Sequence, residues 1–279
     1  MRKTTKLIVI FVFSLLHLPA MAEKSADEIA RELANPNTAL ASLTFKNTFT
    51  QYEGRLPDAN SETGFTTLFQ PSLPFPLENG DKIIWRPAVP LVSDMPVFDP
   101  IQSDFDSESG MGDIGFDLIY AKTSATGVLT GIGIIASIPT ATEDALGRDK
   151  WTLGPELFLG KVTETAVYGT LVNHQWDVAG SDDIVEDVSL TTVNIFFAYL
   201  PGGGWNVGSY PIISYDWASE QWTVPMSLAV GKTVVMGGRP WKLQADFNYF
   251  LEQGDVFGPD WSISFNITPV VTNKLAEWF

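Results

Sequence analysis

Hydrophobic and polar residues alternate one for one along much of this chain. At residues 241–251, Trp241, Leu243, Ala245, Phe247, Tyr249 and Leu251 share one face, and Lys242, Gln244, Asp246 and Asn248 the other. Trp261, Ile263, Phe265 and Ile267 alternate in the same way with Ser262, Ser264, Asn266 and Thr268. Period two sustained over such lengths predicts strands with one apolar and one polar face. Twelve such strands are predicted, at 42–51, 65–77, 82–92, 113–121, 128–138, 151–162, 166–176, 188–200, 205–217, 222–234, 241–251 and 260–270. Most match the roughly 9–11 residues that a tilted strand needs to cross a bilayer.

The connections alternate too. Short turns are expected at 78–81, 124–127, 201–204 and 236–239, and mostly longer acidic loops between them, the largest at 93–112. Short turns at one end and long loops at the other describe an antiparallel transmembrane β-barrel of about 12 strands. Trp151, Trp205, Trp217, Trp222, Trp241 and Trp261 fall at or near strand ends, where amphipathic rings prefer the headgroup level. A soluble β-sandwich would more often bury its Trp residues at strand centres. Nine prolines (71, 74, 76, 87, 90, 155, 211, 225 and 269) oppose this picture, because each falls inside a predicted strand and removes a ladder donor.

Ahead of the strands stand two other patterns. Residues 1–22 carry Arg2, Lys3 and Lys6, a short apolar run, and Ala20-Met21-Ala22, the layout of a secretory signal peptide. A short helix is expected at 25–34, with Ile29, Ala30 and Leu33 on one side and Pro36 beyond its end. The expected organisation is a signal peptide at 1–22, a periplasmic or plug helix within 23–40, and a barrel over 41–279.

Composition then closes off whole classes of function. With no cysteine, disulfide scaffolds, Cys-ligated metals and thiol catalysis are excluded. The 279 residues hold 17 basic and 33 acidic side chains, the wrong balance for binding nucleic acid.

Several pieces of the chain are familiar in their order: Leu33-Ala-Asn-Pro-Asn-Thr38, Ala41-Ser-Leu-Thr44, Gly110-Met-Gly-Asp-Ile-Gly-Phe-Asp117, Trp151-Thr-Leu-Gly-Pro155, Asn173-His-Gln-Trp176 and Trp222-Thr-Val-Pro225. Through them the chain from Glu23 onward resembles the phenol meta-degradation-pathway family of Gram-negative outer-membrane proteins, whose members also carry the label "neuromedin U". The resemblance implies an outer-membrane channel or transporter for small compounds, aromatic or hydrophobic ones among them. It implies as partners the outer-membrane lipids and lipopolysaccharide, the barrel-assembly machinery and a small solute. No residue role comes with it.

The chemistry that the residues themselves permit is limited. No cofactor is expected, and no catalytic residue is assigned. An outer-membrane lipid hydrolase is the alternative activity. His174 is the one histidine past residue 22, and it lacks the His-x-Ser spacing of outer-membrane lipases. Alternation puts it on the outward face beside Trp176. A structural or adhesive barrel with a closed lumen is a further alternative. Asp104, Asp106 and Glu108 alternate ahead of Gly110 as part of a calcium loop would, but the distal bidentate Glu is missing, so no metal is expected.

Pore-lining candidates follow from the polar face: Lys46, Arg86, Asp113, Asp117, Glu156, Asp216, Lys242 and Asp246. Adding Lys82, Asp177 and Glu252 gives seven acidic against four basic inward positions, a balance that would bias an open path towards cations.

Overall fold

A computed structural model describes residues 25–180 and 187–278 of the chain. The signal peptide expected at 1–22 lies outside the described residues. One helix, α1 (Ala26–Ala34), precedes β1 (Ala41–Gly54), β2 (Thr63–Pro76), β3 (Lys82–Asp99), β4 (Asp104–Met111), β5 (Ile114–Thr123), β6 (Val128–Ile138) and β7 (Lys150–Val162). After these come β8 (Ala166–Gly180), β9 (Ser189–Gly202), β10 (Trp205–Ser209), β11 (Ile212–Asp216), β12 (Gln221–Met236), β13 (Arg239–Glu252) and β14 (Phe257–Val271). Every pairing is antiparallel. β14 returns to β1, with Phe49 opposite Ile263, and closes the sheet. β4 and β5 pair in succession with β3, and β10 and β11 with β9. Each of these couples is one interrupted stave, so the closed wall has twelve staves.

The wall is inside out relative to a soluble protein. On β14, Ser264 is 0% exposed and its neighbour Phe265 is 62% exposed. Leu153, Leu157 and Leu159 face outward between the buried Thr152, Glu156 and Phe158. Aromatic residues gather at both rims: Trp151, Trp176, Trp217 and Trp222 at the loop end, and Tyr168, Tyr199 and Trp205 at the turn end, all exposed. Apolar outside, polar inside and aromatic at two levels define a transmembrane β-barrel.

The prolines fit because each sits where the ladder lapses. Pro71 and Pro87 face each other in a gap between β2 and β3, where pairing stops at Phe69–Val89 and resumes in the same register at Leu73–Trp85. Pro74 and Pro76 lie on β2 past the last residue paired with β1. Pro90 stands at the break between β4 and β5 along β3. Pro155 is paired with β6 but falls in a gap against β8. Pro211 separates β10 from β11, Pro225 sits at a register shift against β13, and Pro269 faces a gap towards β1. No edge is needed, because the missing donors coincide with missing bonds.

One expected loop is corrected. Residues 93–112 do not form a long connection, because β3 runs on to Asp99 and β4 returns beside it, closed by a turn at 100–103. Alternation is lost there because the strands have left the bilayer and no longer need an apolar face. The loop that does fold over the mouth is 139–149, between β6 and β7.

α1 opens on a capping box. The Ser25 hydroxyl accepts from the Glu28 amide at 3.2 Å, and the Glu28 carboxylate accepts from the Ser25 amide at 2.8 Å. The helix lies at the turn end. Asp27 there accepts from the Gly204 amide at 2.5 Å, and the Asn37 amide donates to Thr123 Oγ1 at 2.7 Å. Past β14, where alternation breaks, Lys274–Trp278 forms a short 3-10 turn, and Asn273 donates to the Pro74 carbonyl at 2.7 Å.

Candidate functional site

The inward face divides into levels. Nearest the turn end, Ile84, Ile119, Leu129, Phe158, Leu171 and Phe196 form a buried apolar cluster against Ala34 of the helix. Immediately above it runs a row of charge across neighbouring staves. Arg86 on β3 faces Asp117 on β5 in register, and its Nε lies 2.9 and 3.0 Å from the two carboxylate oxygens. Arg86 Nη2 stands 3.9 Å from Glu156 Oε1 on β7. The other oxygen of Glu156 accepts from Asn173 on β8 at 3.1 Å. Glu156 is 1% exposed. A carboxylate this buried needs a facing cation and hydrogen bonds to remain charged. Arg86 faces Glu156 and Asn173 bonds one of its oxygens, while Oε1 has no hydrogen-bond partner among the described residues.

A second polar group covers the opposite wall. Asp246 on β13 accepts from Gln244 at 2.6 Å and from Asn266 at 2.5 Å. Gln244 in turn accepts from Asn206 on β10 at 3.2 Å. Lys242, two residues before Gln244 on the same face, has no carboxylate within 4 Å among the described residues. Its ammonium stands 5.9 Å from the Tyr210 ring.

Asp113, in the break between β4 and β5, fixes the loop at the mouth. One oxygen accepts from the amides of Thr140 and Ala141 at 3.0 and 3.1 Å, and the other from the amide of Arg148 at 2.7 Å. Gly147 is required beside it, since a Cβ there would meet Ala141 Cβ at 2.4 Å and Asp113 Oδ1 at 2.8 Å.

Three cavities follow one another through the lumen. The outermost, about 460 Å³, lies under the 139–149 loop and is lined by Asp113, Arg148, Thr152 and Gln175 among others. The next, about 300 Å³, shares Pro90, Asp113, Ser137 and Gln175 with it and reaches Asp117 and Arg86. The third, about 200 Å³, shares Arg86 with the second and ends against Leu33, Asn35, Pro36 and Thr38 behind the helix. Arg86 therefore stands where the second and third spaces meet.

The structure brings Arg86, Asp117 and Glu156 together, and places Lys242 and Asp246 on the facing wall. Lys46 lies between these groups on β1, opposite Leu68 and Asn266. Asp216 is apart from them at the loop end, where it accepts from the Ala218 amide at 3.0 Å in the turn to β12. Asp113, Asp117, Asp216 and Asp246 are each held by hydrogen bonds from neighbouring groups. Sequence reasoning missed Lys150, which is 0% exposed and lies 3.4 Å from Asp177 and 3.2 Å from Asp187. Its inward direction follows from the alternation of β7, in phase with Thr152 and Glu156.

Asp104 and Asp106 lie on β4 beyond the barrel proper, and Glu108 follows in the same phase. Among the described residues no three His, Asp or Glu stand close enough to hold a metal ion. Close by, burial and the charges of Asp104, Asp94 and Asp58 raise the carboxyl pKa of Glu62, at the entry to β2. His174 is paired with Thr191 across β8 and β9. Its Nδ1 lies 2.7 Å from the Thr191 hydroxyl, which also accepts from Trp217 Nε1 at 2.8 Å. The His174 ring rests 4.2 Å from that of Trp176.

These levels and cavities sit in a barrel of the outer-membrane type, and comparison with known proteins agrees on that class. Among solved structures, the fold is similar to the COG4313 outer membrane channel from Pseudomonas putida F1, with a TM-score of 0.62 and 12% identity over 83% of this chain and 94% of that one. It is also similar to the NanC porin, with a TM-score of 0.52 and 10% identity over 82% of this chain and 99% of that one. No protein-family model matches the chain, and no curated protein matches it in sequence.

Proposed function

We propose that the protein is an outer-membrane channel of a Gram-negative bacterium that passes small solutes. The observation that carries this reading is the run of three cavities through the barrel's interior, the first two sharing Asp113 and Gln175 in their linings and the last two sharing Arg86. The channel and porin structures that share the fold support it. In this reading the short turns and α1 face the periplasm, and the 139–149 loop faces the outside of the cell. Family resemblance adds the finer reading, in which the solutes are small aromatic or hydrophobic compounds of the kind that a phenol-degrading cell takes up. Lipopolysaccharide would meet the outer aromatic rim, and the assembly machinery would insert the barrel.

One observation favours a second reading. The apolar cluster around Phe158 and Phe196 packs on Ala34 at the turn end, on the side of the lumen formed by β3 and β5 to β9, which suits a closed structural barrel. Planar-bilayer recording separates the two. A channel with α1 as its plug gives a small conductance that rises when residues 23–37 are deleted. Silence before and after the deletion would leave the closed barrel.

A further inference from the structure

The innermost cavity has a composition that the rest of the chain does not predict. Acidic residues outnumber basic ones by 33 to 17, yet this cavity is lined by two cations, Arg86 and Lys242, and by no carboxylate. Five consecutive staves (β3, β2, β1, β14 and β13) form its wall, with a cation on each outermost stave and hydroxyl or amide side chains between them. Among these, Thr44 and Thr268 bond each other at 3.1 Å, while Asn266 already donates to Asp246. Leu33 and Pro36 supply an apolar patch on the helix side.

We propose that this cavity binds a small organic carboxylate, with its charged end between Arg86 and Lys242 and its apolar part against Leu33 and Pro36. Lys242 is the group that makes the site. It has no ion pair among the described residues, and its neighbour Asp246 is engaged by Gln244 and Asn266. Arg86 spends Nε on Asp117 and keeps Nη2 3.9 Å from Glu156, beyond hydrogen-bond distance. A carboxylate would complete both cations with charge-assisted hydrogen bonds. At about 200 Å³ the space lies below the roughly 300–1,000 Å³ typical of sites for drug-sized molecules, which selects a ligand of benzoate size. The site deepens the channel reading by naming a solute class, but occupancy does not require flow, so binding and conductance fail separately.

The test is calorimetric titration of the folded full-length barrel in detergent with benzoate, benzamide and inorganic phosphate. Benzoate is expected to bind, with benzamide and phosphate about tenfold or more weaker. Lys242→Gln should weaken benzoate by a similar factor, whereas Lys242→Arg should retain it. Each variant is first shown to be folded by its shifted migration when unboiled. Absent benzoate binding, equal binding of benzamide or phosphate, or an unchanged affinity in folded Lys242→Gln overturns the proposal. Benzoate binding in a barrel that carries no current supports the site while removing the channel reading.

Discussion

Arg86 and Asp117 face each other across β3 and β5, and a single Nε–H of the guanidinium is shared between both carboxylate oxygens at 2.9 and 3.0 Å. The contact holds one of two buried acids, since Glu156 depends on the same cation from 3.9 Å. Arg86→Gln strands both carboxylates, and removing one partner of such a pair typically costs about 3–5 kcal/mol. Arg86→Gln should therefore lower the urea midpoint of the folded barrel, and Asp117→Asn added to it should recover part of the loss. A midpoint unchanged by the single variant would mean that water inside the lumen already screens the pair.

Asp113 holds the 139–149 loop through three backbone amides. Hydrogen bonds to a charged acceptor contribute about 1.5–3 kcal/mol each, so their loss should raise the open population of the loop by more than about tenfold. In planar bilayers Asp113→Ala is expected to show larger and noisier currents than the parent. Identical traces would place the constriction deeper.

Gly154 cannot carry a side chain. A Cβ there would lie 1.6 Å from the His174 carbonyl oxygen, which belongs to the wall itself and has nowhere to move. Gly154→Ala should abolish the heat-modifiable folded band or greatly reduce its yield. Normal assembly would show that β7 and β8 can part at this point.

His174 faces outward beside Trp176, with its Nδ1 on the Thr191 hydroxyl. His174→Ala removes one hydrogen bond and a ring contact, a stability loss of about 1 kcal/mol, and should leave conductance unchanged. Phospholipase or esterase turnover that vanishes in this variant would move the protein to the hydrolase class.

Glu62 sits where burial and then Asp104, Asp94 and Asp58 disfavour its charge, so its carboxyl pKa is raised. A raised folded pKa means that the folded barrel holds this proton more tightly than the unfolded chain. Stability from this group is therefore fully present below the unfolded pKa and is lost as pH rises through the folded one. Glu62→Gln should stabilise the protein at neutral pH, with the gain disappearing in acid. A gain of equal size at both pH values would assign the effect to packing.

Legibility in the sequence followed the solvent. Where β13 and β14 separate lipid from lumen, alternation was strong enough to place Lys242 and Asp246 inside and Phe247 outside. Where β3 and β4 rise beyond the bilayer, nothing forces period two, and the hairpin over 93–112 reads as a loop. The inward direction of Arg86 and Asp117 could be read from the pattern, but their contact could not. It depends on the register of strands joined through a hairpin and a broken stave, which a list of charges does not contain. A count of inward charges is silent on their contacts for the same reason, because register decides which carboxylates are bonded by amides, by backbone N–H groups or by one arginine. Lys150 was lost at a boundary set one residue late.

The two prolines that face each other at 71 and 87 leave the wall between β2 and β3 short of ladder pairs over residues 70–72 and 86–88. A closed barrel resembles a zip with its ends joined, and here several teeth are missing at mid-height. Thermal breathing of the wall should start at this seam, where backbone amides would exchange with solvent sooner than those on the continuous β8–β9 or β5–β6 ladders. Arg86 borders the gap, so the flank of the barrel that opens most readily is also the flank that carries the cation at the junction of the two inner cavities.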